Sequence, residues 1–227
     1  MSVLIQVKII FVGHGKKLHA RCGSARCLNV PLIRGESIMG YYPHFPVSTK
    51  RLRLRPFTRG DVDAVFDYRG RADVALYLFD SALSRDECAQ AVQQRIVHTN
   101  WAEEGDKIVL AVELSDSSRV IGEMSLIWRN VDARQAEIGW IFHPEYQGRG
   151  YATEAARAVI NLGFYGGDIH RIFARCDARN SPSWRLMERL GMRREAHFRE
   201  HARFKGGWDE EFIYAVLQRE WQGDNQP

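Results

Sequence analysis

The chain has 227 residues, 45% hydrophobic and 26% charged, enough apolar material for a sizeable core without disulfides or structural metal. Its net charge of +4 is unevenly spread: residues 1–50 hold seven Lys or Arg and one acid, so residues 51–227 carry 25 basic and 27 acidic side chains. That balance leaves the main body no electropositive footprint and argues against nucleic acid as its partner.

Residues 1–50 read as an N-terminal extension of uncertain status: an arm, a disordered segment or translated upstream sequence, with Met39 as the natural start in the last case. Gly and Pro punctuate it, no amphipathic period runs through it, and it holds four of the six lysines. Val3 to Val12 is apolar, but Lys8 interrupts it and no basic stretch precedes it, which argues against a signal peptide. No run reaches transmembrane length. Cys22, Cys27, Cys88 and Cys176 form no C-x-x-C pair and have no His at zinc-finger spacing, so no metal site is expected and a reduced cytoplasmic setting fits.

From Arg51 the pattern becomes regular. Arg51-Leu-Arg-Leu-Arg-Pro alternates as a half-buried strand should, and Thr58 caps a helix that follows. A second helix starts at Ser84, with Cys88, Ala89, Val92 and Ile96 on one face. Strands are expected at 108–114 and 120–128 with Asp116-Ser-Ser as the turn, then at 135–142. The strongest helical stripe follows: Ala152, Ala155, Ala156, Val159, Ile160, Gly163 and Phe164. A strand at 171–177, a short helix opened by Ser181-Pro182 and stopped at Gly191, and strands at 192–198 and 211–217 around Lys205-Gly-Gly complete the domain. Residues 222–227 form a polar tail. The order predicts one mixed α/β domain over 51–221, a mostly antiparallel sheet of about six to seven strands flanked by about four helices.

The informative segment is Glu137-Ile-Gly-Trp-Ile-Phe-His-Pro-Glu-Tyr-Gln-Gly-Arg-Gly-Tyr-Ala, a strand leading through a glycine loop into the long helix. Gly148 and Gly150 permit tight curvature, so several N–H groups can converge on an anion, and the helix N-terminus adds its partial positive charge. No G-K-[ST] follows, and the glycines lack dinucleotide-fold spacing.

Gln147-Gly148-Arg149-Gly150-Tyr151-Ala152 matches the [QR]-x-x-G-x-[GA] motif of the GNAT acetyltransferases, and Asn180-Ser-Pro-Ser183 with Arg185-Leu-Met-Glu-Arg-Leu-Gly191 resembles that superfamily's next motif. The E-I-G-W strand and Trp208-Asp-Glu-Glu-Phe-Ile-Tyr-Ala-Val-Leu resemble the branch of ribosomal-protein alanine and serine N-terminal acetyltransferases. The resemblance spans about 51–221 and implies acetyl transfer from acetyl-CoA to an amine, a protein N-terminus or a small molecule, by direct attack in a ternary complex. The alternative is a non-catalytic coenzyme A-binding sensor or interaction module.

By resemblance, Gln147, Gly148, Arg149, Gly150, Tyr151, Ala152 and Asn180 contact the cofactor, and backbone groups near Ile141 and Phe142 hold its pantetheine arm, with a free amide there available to an oxyanion. Arg149 faces the pyrophosphate region. Glu137 is the preferred general base, its other reading being a sheet carboxylate paired with an arginine; His143 is a rival base or a loop residue. Ser183 is a candidate proton donor to the thiolate, or a structural serine of a first helical turn. Tyr146 and Tyr151 flank the loop, as cofactor contacts or as packing. An exposed edge near the C-terminus would suit a homodimer.

Overall fold

The computed structural model describes residues 40–221. One eight-stranded sheet runs in the order β1-β2-β3-β4-β5-β6-β8-β7. Its strands are β1 (Val47–Ser48), β2 (Leu52–Pro56), β3 (Lys107–Leu114), β4 (Val120–Asn130), β5 (Gln135–Phe142), β6 (Arg171–Asp177), β7 (Arg193–Phe204) and β8 (Gly207–Leu217). The helices are α1 (Val62–Arg69), α2 (Ala72–Ala75), α3 (Arg85–Arg95), α4 (Tyr151–Asn161) and α5 (Ser181–Arg189). Every neighbouring pair is antiparallel except β5/β6.

The central strands are apolar on both faces because helices cover both. Ile108, Leu110 and Val112 enter the core under α4 and α5, while Val109 and Ala111 enter the second core under α1 and α3. In β2, Leu52 and Leu54 join the first core, and Arg53 and Arg55 pair with Glu113. The stripe on α4 is buried as its spacing predicts, through Ala155, Ala156, Val159 and Ile160. The second predicted helix start is built as read, with Ser84 and Glu87 forming a capping box. At the first, Thr58 heads a short 3-10 turn, Arg59–Asp61, in which the Asp61 carboxylate accepts from the Thr58 N–H at 2.7 Å, and Asp61 occupies the cap position of α1.

Several boundaries differ from the sequence reading. Residues 40–50, read as part of the extension, join the domain: β1 pairs with β2, Tyr41 bonds Trp101 through both backbone groups, and the Thr49 hydroxyl donates to Glu154 at 2.6 Å. Residues 1–39, with Met39, Cys22 and Cys27, and the tail 222–227 lie outside the described residues. Helix α5 begins at Ser181, so Asn180, not Ser181, occupies the cap position. The C-terminal hairpin is longer than predicted, closing on a tight turn at Lys205 (φ 47°) and Gly206 (φ 84°). The sheet gains β1 and the helices gain α2, elements too short to leave a period. Cys88 and Cys176 are free and buried, and no described helix is long and apolar enough to cross a membrane.

Candidate active site

Strands β5 and β6 are hydrogen-bonded neighbours only over Gln135↔Arg171 to Glu137↔Phe173. Beyond that point β6 stays with β8 through Asp177, while β5 stays with β4 through Phe142. The edge of β5 from Ile138 onward therefore has no ladder partner on the β6 side. The His143 N–H donates to the Ile121 carbonyl at 2.9 Å, which makes Gly122/Phe142 a non-hydrogen-bonded pair and Glu123/Ile141 a hydrogen-bonded one. The polar backbone groups of Ile141 are thus spent on β4, a correction to their expected role with a ligand. Those of Trp140 and Phe142 face the open side.

The glycine loop hangs from this open edge. The Gln147 side-chain amide donates to the Phe142 carbonyl at 3.1 Å, tying the loop to the end of β5. Gly148 and Gly150 have φ of 74° and 80°, a left-handed backbone that any side chain would strain, and Gly150 occupies the cap position of α4. The first helical bond runs from the Glu154 N–H to the Gly150 carbonyl, so the N–H groups of Tyr151, Ala152 and Thr153 have no intrahelical acceptor. These donors and the helix dipole point at whatever occupies the helix end. A cavity of 1270 Å³ runs along α4 and is lined by Phe142, Gln147, Gly148, Gly150, Tyr151 and Ala152.

Arg51 fixes this geometry. Its Nε donates to Glu154 at 2.7 Å, its Nη1 donates to the Arg149 carbonyl at 3.0 Å, and its guanidinium lies 4.4 Å from the centre of the Tyr151 ring. Glu154 also accepts from the Arg51 N–H at 2.8 Å, and these bonds hold its carboxyl below the usual range although burial opposes them. Tyr151 is packed under an arginine, and the Arg149 side chain extends over Tyr146, 5.6 Å from its ring centre.

On the opposite face of the sheet lies a second cavity, of 290 Å³, lined by Gly139, Trp140 and Ile141 of β5 together with β3, β4 and α3. Its floor is the register row Val109↔Ser125↔Gly139, where small side chains leave room. Above that row sits Glu123, buried, accepting from the Tyr68 hydroxyl and from Arg95, each at 2.9 Å. Burial alone would raise its pKa, but Arg95, Arg69 and these hydrogen bonds outweigh it and leave the carboxyl ionised below the ordinary range. Nothing about Glu123 stood out in the sequence beyond a lone acid in an apolar strand.

Glu137 is 1% exposed and lies in the next row, held by Arg129 Nε at 2.7 Å and Arg175 Nε at 3.0 Å. It lines neither cavity. The arrangement matches the arginine-paired reading, with the carboxylate held between two guanidinium groups. His143 is likewise engaged: its Nδ1 accepts from the Glu145 N–H at 3.2 Å, and Nε2 is 3.5 Å from Asp67. Asn180 and Ser183 are fully buried at the start of α5, which packs on β6, β8 and α4.

A family model described as an acetyltransferase (GNAT) domain matches residues 51–193. The uncharacterized N-acetyltransferase YnaD of Bacillus subtilis is 34% identical over 175 residues, 77% of this chain and 98% of that one. A spermidine N(1)-acetyltransferase of Vibrio cholerae is 25% identical over 171 residues, 75% of this chain and 95% of the relative. The crystal structure of a GNAT-family acetyltransferase from Bacillus anthracis superposes with a TM-score of 0.68 at 32% identity, covering 76% of this chain and 98% of that one.

Proposed function

The chain belongs to the GNAT acetyltransferase family, and from that premise we propose that it joins acetyl-CoA and an amine across the open edge of β5. One observation carries the reading. Consecutive residues of one strand line both cavities, Phe142 the one beside the glycine loop and Gly139, Trp140 and Ile141 the one over Ser125. A thioester reaching along that edge from the loop meets an amine arriving from the α3 side.

Bound acetyl-CoA supplies the electrophilic thioester carbon; the chain supplies anchoring, orientation and proton handling. The free N–H groups at the head of α4 take the pyrophosphate, and Gly148 and Gly150 let the backbone come close enough. The outward backbone groups of Trp140 and Phe142 hold the pantetheine arm, and a free amide there stabilises the oxyanion. The amine nitrogen bonds to the carbonyl carbon as the carbon–sulfur bond breaks, and the amine's surplus proton must leave.

Glu123, rather than Glu137, is the carboxylate suited to accept that proton, directly or through a water. Both carboxylates are paired with arginine, but Glu123 is ionised and lines the acceptor cavity, whereas Glu137 lines neither cavity. The nearby cations Arg69 and Arg95 favour the neutral, nucleophilic form of the amine, so a weak base suffices. Ser183 returns a proton to the leaving sulfur.

The test is release of free thiol from acetyl-CoA across a panel of amines, for wild type and Glu123→Gln. Loss of a positioned base lowers kcat about 10²-fold or more while coenzyme A affinity holds. An unchanged kcat in Glu123→Gln with the preferred amine would remove Glu123 from the chemistry.

A further inference from the structure

The electrostatics of the acceptor cavity carry a statement about the acceptor itself, one that rests on reading that cavity as the amine site. Four charged side chains on its wall are already matched: Arg95 with Glu123 at 2.9 Å and Arg69 with Asp80 at 2.8 Å. Lys107 is the surplus. It projects from β3 on the same face as Val109 and Ser125, and among the described residues no carboxylate or hydrogen-bond acceptor engages its ammonium. Burial lowers its pKa, and the charges acting on it, Arg129 and Arg95, are both positive and lower it further.

A second cation on the same wall also has unused capacity. Arg69 is 6% exposed, and its Nε has no hydrogen-bond partner among the described residues. A buried N–H of a guanidinium left unmatched costs free energy that an anionic ligand would recover. His98 lines the cavity beside Lys107, and its pKa is lowered by burial and then by Lys107 and Arg95, so no compensating acid stands there either beyond the weaker influence of Asp106.

We propose that the acceptor is an amine that also bears a carboxylate, and that Lys107 receives this carboxylate in the cavity over Ser125 and Gly139. An amino acid or the N-terminus of an acidic peptide has this chemistry. A polyamine has the opposite one: each additional ammonium would enter a wall whose surplus charge is positive. The chain thereby departs from its relative named for spermidine, although the fold is shared.

The experiment compares thiol release with glutamate, peptides beginning Ser-Glu or Ser-Ala, and spermidine, for wild type, Lys107→Met and Lys107→Arg, with coenzyme A binding measured in parallel. Wild type is expected to prefer acidic amines. In Lys107→Met, KM for the acidic acceptor rises about tenfold, the loss of one charge-assisted contact, and Lys107→Arg restores much of it. Glutarate, which has no amine, is expected to inhibit wild type competitively against the acceptor and not against acetyl-CoA, a readout independent of how the variants fold. Thiol release confined to spermidine or uncharged amines, or no inhibition by glutarate, overturns this inference and leaves the acetyltransferase reading standing. Failure to bind coenzyme A, or release with no amine at all, overturns both.

Discussion

Arg51 is the residue whose removal says most about how the cofactor loop is held. In Arg51→Ala, three contacts vanish together: the 2.7 Å pair with Glu154, the 3.0 Å bond to the Arg149 carbonyl and the stacking on Tyr151. The side chain is 41% exposed, so solvent screens the ion pair and it contributes only about 0.5 kcal/mol. The bond to the loop carbonyl and the stacking each add about 0.5–1 kcal/mol. The sum, about 1.5–2.5 kcal/mol, orders the loop that presents the α4 donors, so acetyl-CoA affinity should fall about 10- to 70-fold. Isothermal calorimetry on wild type, Arg51→Ala and Arg51→Lys measures it. Lysine keeps the attraction to Glu154 but cannot also reach the carbonyl and stack as a planar group, so it should fall between the other two. Unchanged affinity in the alanine variant, with its fold intact, would refute the idea that Arg51 organises the loop.

Glu137→Gln should cost about 3–5 kcal/mol of stability, because it takes the counter-charge from Arg129 and leaves Arg175 with the longer 3.9 Å pair to Glu211; urea unfolding measures this, and a loss under 1 kcal/mol would contradict the structural role. Glu123 has a folded pKa below its ordinary value of 4.5, so the stability it contributes is complete above that pH and disappears as pH falls through the folded value. The unfolding free energies of wild type and Glu123→Gln should therefore differ at pH 7 and converge in acid; a gap that widens toward low pH would reverse the sign of this argument. Ser183→Ala should lower kcat with little change in acetyl-CoA affinity, and steady-state kinetics showing a change in KM alone would reduce Ser183 to packing.

Much of the site's frame was legible because it depends on local patterns. Strand β5 spans 135–142 as read, since an apolar run bounded by polar turns can sit only in a covered sheet. The glycine loop was legible because Gly148 and Gly150 announce a left-handed backbone ahead of an amphipathic helix. What stayed hidden depends on distant partners. Arg51 looked like one polar position of an alternating strand, and its hold on Arg149 and Glu154 crosses roughly a hundred residues of sequence. Glu113, Glu123 and Glu137 each interrupt an apolar strand, and each is matched by arginines from other elements. The signal available was that coincidence of lone strand acids with many arginines, but it does not say which acid faces a cavity. Register decides that: Glu123 lies opposite Ile141 next to the open row, and Glu137 lies one row past it, beside Ile127. The role assigned to Ile141 failed for a similar reason, because alternation along a strand does not say which backbone groups face which neighbour until one hydrogen bond fixes the phase.

The central claim is that the loop at the head of α4 is an acetyl-CoA site. Calorimetric titration of acetyl-CoA into wild type and Gly150→Trp tests it most directly, since an indole at a position with φ 80° both strains the loop and covers the helix-end donors. Binding by wild type that is abolished in the variant is the predicted result. Equal binding by both proteins, or none by folded wild type, would contradict the account.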